Sequence, residues 1–234
     1  YWTKQVHKFL RFMHNNGFTE IPKPLGFDKK GREILSFVKG KTFDYPLPED
    51  ARSLDALISS AKLLRYYHDA SQNFLNKSNL LTQNWMFSPR IPQEVICHND
   101  FAPYNICFEG NKAIGIIDYD TASPGPRNWD IAYALYRFSP FTNPENKDGF
   151  GSIEEQILRA QLFCNAYGIT YLNRNNLVDL IIERLKKLVD FIIKSAYEGN
   201  NKYKLIFESG HHLLYLEDIE YIELYKSIIQ DALR

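Results

Sequence analysis

Cysteine is scarce in this chain: Cys97, Cys107 and Cys164 are the only three in 234 residues. An odd, low count without close spacing excludes a disulfide framework and a zinc motif. The three are expected as reduced, buried small apolar residues of a cytoplasmic protein. Net charge is absent too, with 28 basic residues against 28 acidic ones. That balance gives no reason to expect a nucleic-acid or anionic-membrane partner. No apolar run approaches the roughly 20 residues of a membrane span, and no stretch reads as a signal peptide. Internal repeats and low-complexity segments are missing as well. What is present, 44% hydrophobic and 24% charged residues, is ordinary for a globular protein and excludes disorder. A chain of this length suits one large domain or two small lobes and can bury roughly 70% of its unfolded surface.

Residues 4–15 place Val6, Phe9, Leu10 and Met13 at helical spacing, with Gly17 as a stop. A turn centred on Asp28-Lys29-Lys30-Gly31 then leads into a strand over 33–38. Residues 41–52, with Pro46 and Pro48, read as a connector. Ser53 is a good N-cap for a helix in which Leu54, Leu57, Ile58, Ala61, Leu64 and His68 recur at three- and four-residue steps. Residues 71–93 read as polar and irregular. Further on, "TASPGPRN" is expected as a loop. Helical spacing returns from "WDIAYALYRF" onward, over 153–167, 176–197 and 216–233.

The chemistry concentrates in "ICHNDFAPYNICF", residues 96–108. "NICF" and "AIGIID" flank a turn, Glu109-Gly110-Asn111-Lys112, and predict a hairpin. If Phe108 pairs with Ala113, residues 103–105 come close to 116–118. Asn105 and Asp118 then emerge at one end of a two-stranded ribbon, with Asp100 in the loop feeding that end. Asn and Asp oxygens are hard ligands suited to Mg²⁺ rather than zinc. Asp100, offset by five residues, is free to face a substrate hydroxyl. This division of labour is that of kinase-type phosphoryl transfer.

"HNDFAPYN" resembles the His-x-Asp-x-x-x-x-Asn catalytic loop of the aminoglycoside phosphotransferase and choline kinase families. "IIDYD" resembles their metal-binding segment, and "PRNWDIAYAL" the helix start that follows it. "GREILSFVKG", "LRAQLFCNAYGI" and "ESGHHLLYLEDIEYI" extend the resemblance over nearly the whole chain. It implies an α+β, protein-kinase-like two-lobed fold. Residues 1–45 would be the remnant of the small nucleotide-binding lobe and its linker, and 46–234 the helical C-terminal lobe. It also implies transfer of the terminal phosphate of ATP or GTP to a small-molecule hydroxyl, such as that of an aminoglycoside. By the resemblance, Asp100 is the catalytic residue, Asn105 and Asp118 hold Mg²⁺, and His98 braces the loop. Asp130 would bond the loop backbone, or serve as N-cap of its helix. Ser36, Phe37 and Val38 fall where linker backbone meets adenine. Asp120 is an acidic position open between a place beside the metal and a solvated loop. No glycine-rich phosphate loop precedes residues 4–15, and these contain no Glu to pair a phosphate-binding Lys. Because the chain begins at Tyr1 rather than Met, those strands are expected upstream. Were they absent, a catalytically inactive binding or immunity protein is the alternative. Without Asp-Phe-Gly or Ala-Pro-Glu, the chain does not read as a protein kinase.

His68 is expected to pack or cap its helix, and Cys97 to pack. His211-His212 lacks a third ligand at metal spacing. The tail "LLYLEDIEYIELY" reads either as lining for a cationic substrate or as an amphipathic helix with its acidic face in water.

Overall fold

In the computed structural model, which describes residues 2–77 and 84–234, helix α1 (Thr3–Asn15) buries Val6, Phe9, Leu10 and Met13. Gly17 ends it in the left-handed region, at φ +87°. That conformation turns the chain so that Phe18 N–H reaches the Met13 carbonyl at 3.0 Å. Strands β1 (Pro24–Phe27) and β2 (Glu33–Leu35) form an antiparallel pair. The Asp28 carboxylate closes their turn by accepting from the Lys30 and Arg32 N–H groups. The second strand is shorter than the spacing suggests. Beyond Ser36 the chain leaves β1 and lies on a later hairpin, where Lys41 and Phe108 exchange both backbone hydrogen bonds at 2.9 Å. Gly40 at φ +117° allows this crossing, since a Cβ there would sit 2.9 Å from that of Cys107.

The connector contains one helical turn, α2 (Glu49–Arg52). Helix α3 (Leu54–Lys77) starts where Ser53 Oγ accepts the Ala56 N–H at 3.2 Å. It runs past the point where the sequence looked irregular, because Ser71, Phe74 and Leu75 continue the buried stripe of Leu64 and Tyr67. Of the irregular stretch, 78–83 lie outside the described residues.

Strand β3 (Val95–Cys97) leads into the segment His98–Asn105 and pairs antiparallel with β6 (Ser123–Gly125), within the expected loop. That strand contains Pro124 and Gly125, which disguise it. Between them, β4 (Ile106–Glu109) and β5 (Lys112–Ile116) make the hairpin. Phe108 pairs with Ala113, and a bulge before it lets Ile106 face Ile116.

The remainder is helical: α4 (Arg127–Phe138), α5 (Ile153–Tyr167), α6 (Leu177–Tyr197), α7 (Asn201–Glu208) and α8 (His211–Leu233). Ser152 and Glu155 form a reciprocal capping box at the start of α5. Helix α6 lies between α4 and α8, and α3 packs on α5. The pattern in the sequence missed α7 because that helix buries no residue and so carries no stripe to read. The three cysteines are buried and free. No helix among the described residues is long and apolar enough to cross a membrane.

Helix α8 is tied to the body through Asp218, which is 1% exposed. Its carboxyl accepts from the Tyr136 hydroxyl at 2.6 Å and the Asn143 N–H at 3.3 Å. Burial, partly offset by these hydrogen bonds, pushes it up to about 6 from 3.8. Because the folded value is raised, the stabilising contribution is full below pH 3.8 and is lost as pH rises through about 6. Asp218→Asn cannot ionise. Its stability relative to the parent should therefore grow by about 1–2 kcal/mol between about pH 4.5 and 7. Urea unfolding at the two pH values reads this directly, and a constant difference would refute the shift.

Candidate active site

Strand β3 delivers His98, Asn99 and Asp100 into a loop whose backbone is held from several elements. Asp130, fully buried in the first turn of α4, accepts the His98 N–H at 2.7 Å and the Asn99 N–H at 2.8 Å, one on each carboxylate oxygen. The N-cap position belongs to Pro126, so Asp130 caps the loop rather than its own helix. His68, from α3, reaches the same carboxylate with Nε2 at 3.0 Å and Tyr167 Oη with Nδ1 at 2.8 Å. Burial holds the His68 ring below its ordinary value against the pull of Asp130. It also works against the Asp130 carboxylate, but the hydrogen bonds from His68 and the His98 N–H outweigh it and keep the carboxyl low. Among the two directions, a neutral His68 donating to an ionised Asp130 is the state that fits full burial.

His98 is buried as well. Nε2 lies 2.9 Å from the Ile117 carbonyl, and Nδ1 is 3.3 Å from the Asp100 N–H. The tautomer protonated at Nε2 satisfies both. Asn99 adopts φ +65°, which Asn tolerates better than most side chains. Its Nδ2 donates to the Thr121 carbonyl at 2.8 Å and Ser123 Oγ at 2.9 Å, while Oδ1 accepts Trp129 Nε1–H at 3.1 Å. Arg184, on α6, donates to the Asn99 carbonyl.

This frame presents the Asp100 carboxylate. One oxygen accepts the Tyr104 hydroxyl at 2.7 Å and the other Asn105 Nδ2 at 2.9 Å. Burial keeps the Tyr104 phenol far above its ordinary value, so it remains a donor. Two donors fix the carboxylate and leave lone pairs facing a cavity of about 440 Å³ that Asp100 helps to line.

The single turn Pro103–Asn105 carries Asn105 to the foot of β4. There its carbonyl accepts the Ile117 N–H at 2.9 Å, so Asn105 and Asp118 stand at one end of the hairpin. Asp118 is exposed and left-handed, at φ +62°. With the amide nitrogen of Asn105 bound to Asp100, Oδ1 is the atom left for a cation. Partial burial, then the charges of Asp118 and Glu33, push the exposed Asp120 carboxyl up. No three His, Cys, Asp or Glu among the described residues could hold a metal by themselves. Two oxygen donors suit Mg²⁺, which completes its shell with phosphates and water.

Ser36, Phe37 and Val38 sit apart from the cavity. The Ser36 N–H already donates to the Lys23 carbonyl at 2.9 Å, Phe37 is 85% exposed, and Val38 lies against Gly115. His211 bonds the Tyr215 hydroxyl and His212 stacks on Phe207. In the tail, Glu217, Glu220 and Glu223 are exposed, and only Tyr215 lines the cavity.

The hairpin flanked by a clamped HxDxxxxN loop, with helices stacked behind it, defines an α+β, protein-kinase-like fold. Its similarities agree. The model of the phosphotransferase enzyme family matches residues 80–162. The trifolitoxin immunity protein of Rhizobium leguminosarum bv. trifolii is 30% identical over 203 residues, 84% of this chain and 73% of that protein. The ethanolamine kinase of Plasmodium vivax superposes with a TM-score of 0.64 at 15% identity, over 98% of this chain and 73% of the other. An ADP-bound aminoglycoside phosphotransferase gives 0.52 at 16%, over 94% and 83%. The chain belongs to the phosphotransferase enzyme family.

Proposed function

We propose that the chain catalyses Mg²⁺-assisted transfer of the terminal phosphate of ATP or GTP to a hydroxyl of a small molecule. The observation that carries this reading is the Asp100 carboxylate, fixed by Tyr104 and Asn105 at the wall of the cavity, beside the oxygen donors at the end of the hairpin. Asp100 orients the acceptor hydroxyl and takes its proton as the oxygen bonds phosphorus and the bridging oxygen leaves with the nucleoside diphosphate. Asn105 and Asp118 would hold Mg²⁺, which supplies charge neutralisation on the phosphate oxygens. His98, Asn99 and Asp130 keep the loop in shape, so catalysis rests on positioning and electrostatics without a covalent intermediate. Asp120 stands beside the metal pair. In this reading residues 1–45 serve as part of the small lobe and 46–234 as the large one, and Ser36, Phe37 and Val38 offer backbone to adenine, Ser36 through its carbonyl since its N–H is bonded to Lys23. The protein works where nucleotide is found, in the cytoplasm.

The test is nucleotide consumption across a panel of hydroxylated compounds that includes antibiotics, choline and sugars. Acceptor-dependent release of the nucleoside diphosphate is the expected outcome. Consumption that no acceptor stimulates argues against transfer.

The immunity protein among the relatives favours a second reading, protection against a toxin by binding alone. Immunity by phosphorylation requires Asp118, whereas immunity by binding survives Asp118→Ala.

A further inference from the structure

Beside Asp100, the cavity is walled by positive charge. Arg90, Arg184, Lys187 and Lys202 line it, and Asp100 is its one carboxylate. Arg90 is already paired with Glu183, at 3.1 Å. The other three have no carboxylate within ion-pair range among the described residues, although Lys202 is near enough to feel Asp120. Arg184 is 9% exposed, and its Nε is buried with no hydrogen-bond partner. Arg184 lines the cavity through the rest of its guanidinium, which no carboxylate among the described residues neutralises. Asn105 and Asp118 do not line this cavity; Lys202 lies toward the Asp118–Asp120 end, whereas Arg184 and Lys187 face the acceptor side.

The aromatic rings sort by what covers them. The Arg90 guanidinium lies 3.4 Å from the centre of the Trp129 ring, and that of Arg184 lies 4.6 Å from the Tyr133 ring. Those faces already hold cations of the protein and cannot cage an ammonium ligand. Phe87 and Phe191 instead meet edge-on at 5.2 Å with no cation over either ring among the described residues. Phe191 in turn meets Tyr203 edge-on at 4.9 Å, and the Tyr203 ring is approached by Lys202 Nζ at 5.9 Å.

We propose that the acceptor is a hydroxylated molecule with an apolar or aromatic body and an anionic group, the body against Phe87, Phe191 and Tyr203 and the anion on Arg184 and Lys187. A polycation such as an aminoglycoside would meet like charge at the same positions. The inference rests on Asp100 being the phosphotransfer centre.

Two fluorescent probes test it on the full chain. 8-Anilinonaphthalene-1-sulfonate and N-phenyl-1-naphthylamine share an aromatic body and differ by the sulfonate. The sulfonate should bind about ten-fold more tightly, the size of one charge-assisted hydrogen bond. Lys187 is exposed, so Lys187→Glu should fold normally. It should weaken the sulfonate about ten-fold and leave the neutral probe unchanged. Kanamycin should not displace the sulfonate. Equal affinities, indifference to Lys187→Glu, or displacement by kanamycin would overturn the inference. A parallel Mg·ATP titration separates the failures: nucleotide binding with a negative probe result removes only the anionic acceptor, whereas absent nucleotide binding removes the transferase reading itself.

Discussion

Asp100→Ala should lower turnover by about three orders of magnitude while leaving Mg·ATP affinity within about two-fold, given that positioned acid–base groups contribute 10²–10⁴. The carboxylate is the only group of the loop that both lines the cavity and can take a proton from a hydroxyl. It is partly exposed and accepts its two side-chain hydrogen bonds from Tyr104 and Asn105. Losing it therefore costs the fold only about 1 kcal/mol. Asp100→Asn keeps the shape and still accepts on one side, yet cannot receive the proton, so it should fall as far. Steady-state kinetics with the best acceptor, alongside nucleotide titration, separates the two effects. Turnover retained in either variant would remove Asp100 from the chemistry.

Asp130→Ala should unfold the protein more readily by about 3–5 kcal/mol, the range seen when one partner of a buried charged network is removed. The substitution strands the His98 and Asn99 N–H groups and the His68 ring in a dry interior. For a chain of this size that corresponds to a fall in melting temperature of about 10 °C. Asp130→Asn retains one acceptor oxygen for the two backbone donors and should lose roughly half as much. Urea and thermal unfolding give both numbers. A loss below about 1 kcal/mol would mean that the loop is held by other contacts.

The parts of the molecule legible in its sequence were those with short-range logic. Phe108 opposite Ala113 follows from alternation about a turn, and with it the convergence of Asn105 and Asp118. Helix α5 runs over 153–167 as its spacing suggests. Elements without such a signature stayed hidden. Strand β6 is written in turn residues, and exposed α7 has no apolar face. The clamp on the loop was legible only in part. Asp130 stands out as an acid at a helix start, but its N-cap appearance conceals two loop N–H groups about thirty residues away. Asn99 occupies the variable position of His-x-Asp, and nothing in the sequence sets Arg184 apart from the other cations of its helix. Their contact spans 85 residues and exists only once α6 packs beneath the loop. The charge of the cavity is likewise a property of assembly, since a balanced total conceals where each charge lies.

The most direct measurement is a calorimetric titration of ATP into the protein and into Asp118→Ala, each with Mg²⁺ and with chelator. The expected result is binding to the parent that requires Mg²⁺ and weakens at least ten-fold in the variant. Binding of equal strength in all four titrations, or in none, would contradict a metal–nucleotide site built on Asn105 and Asp118.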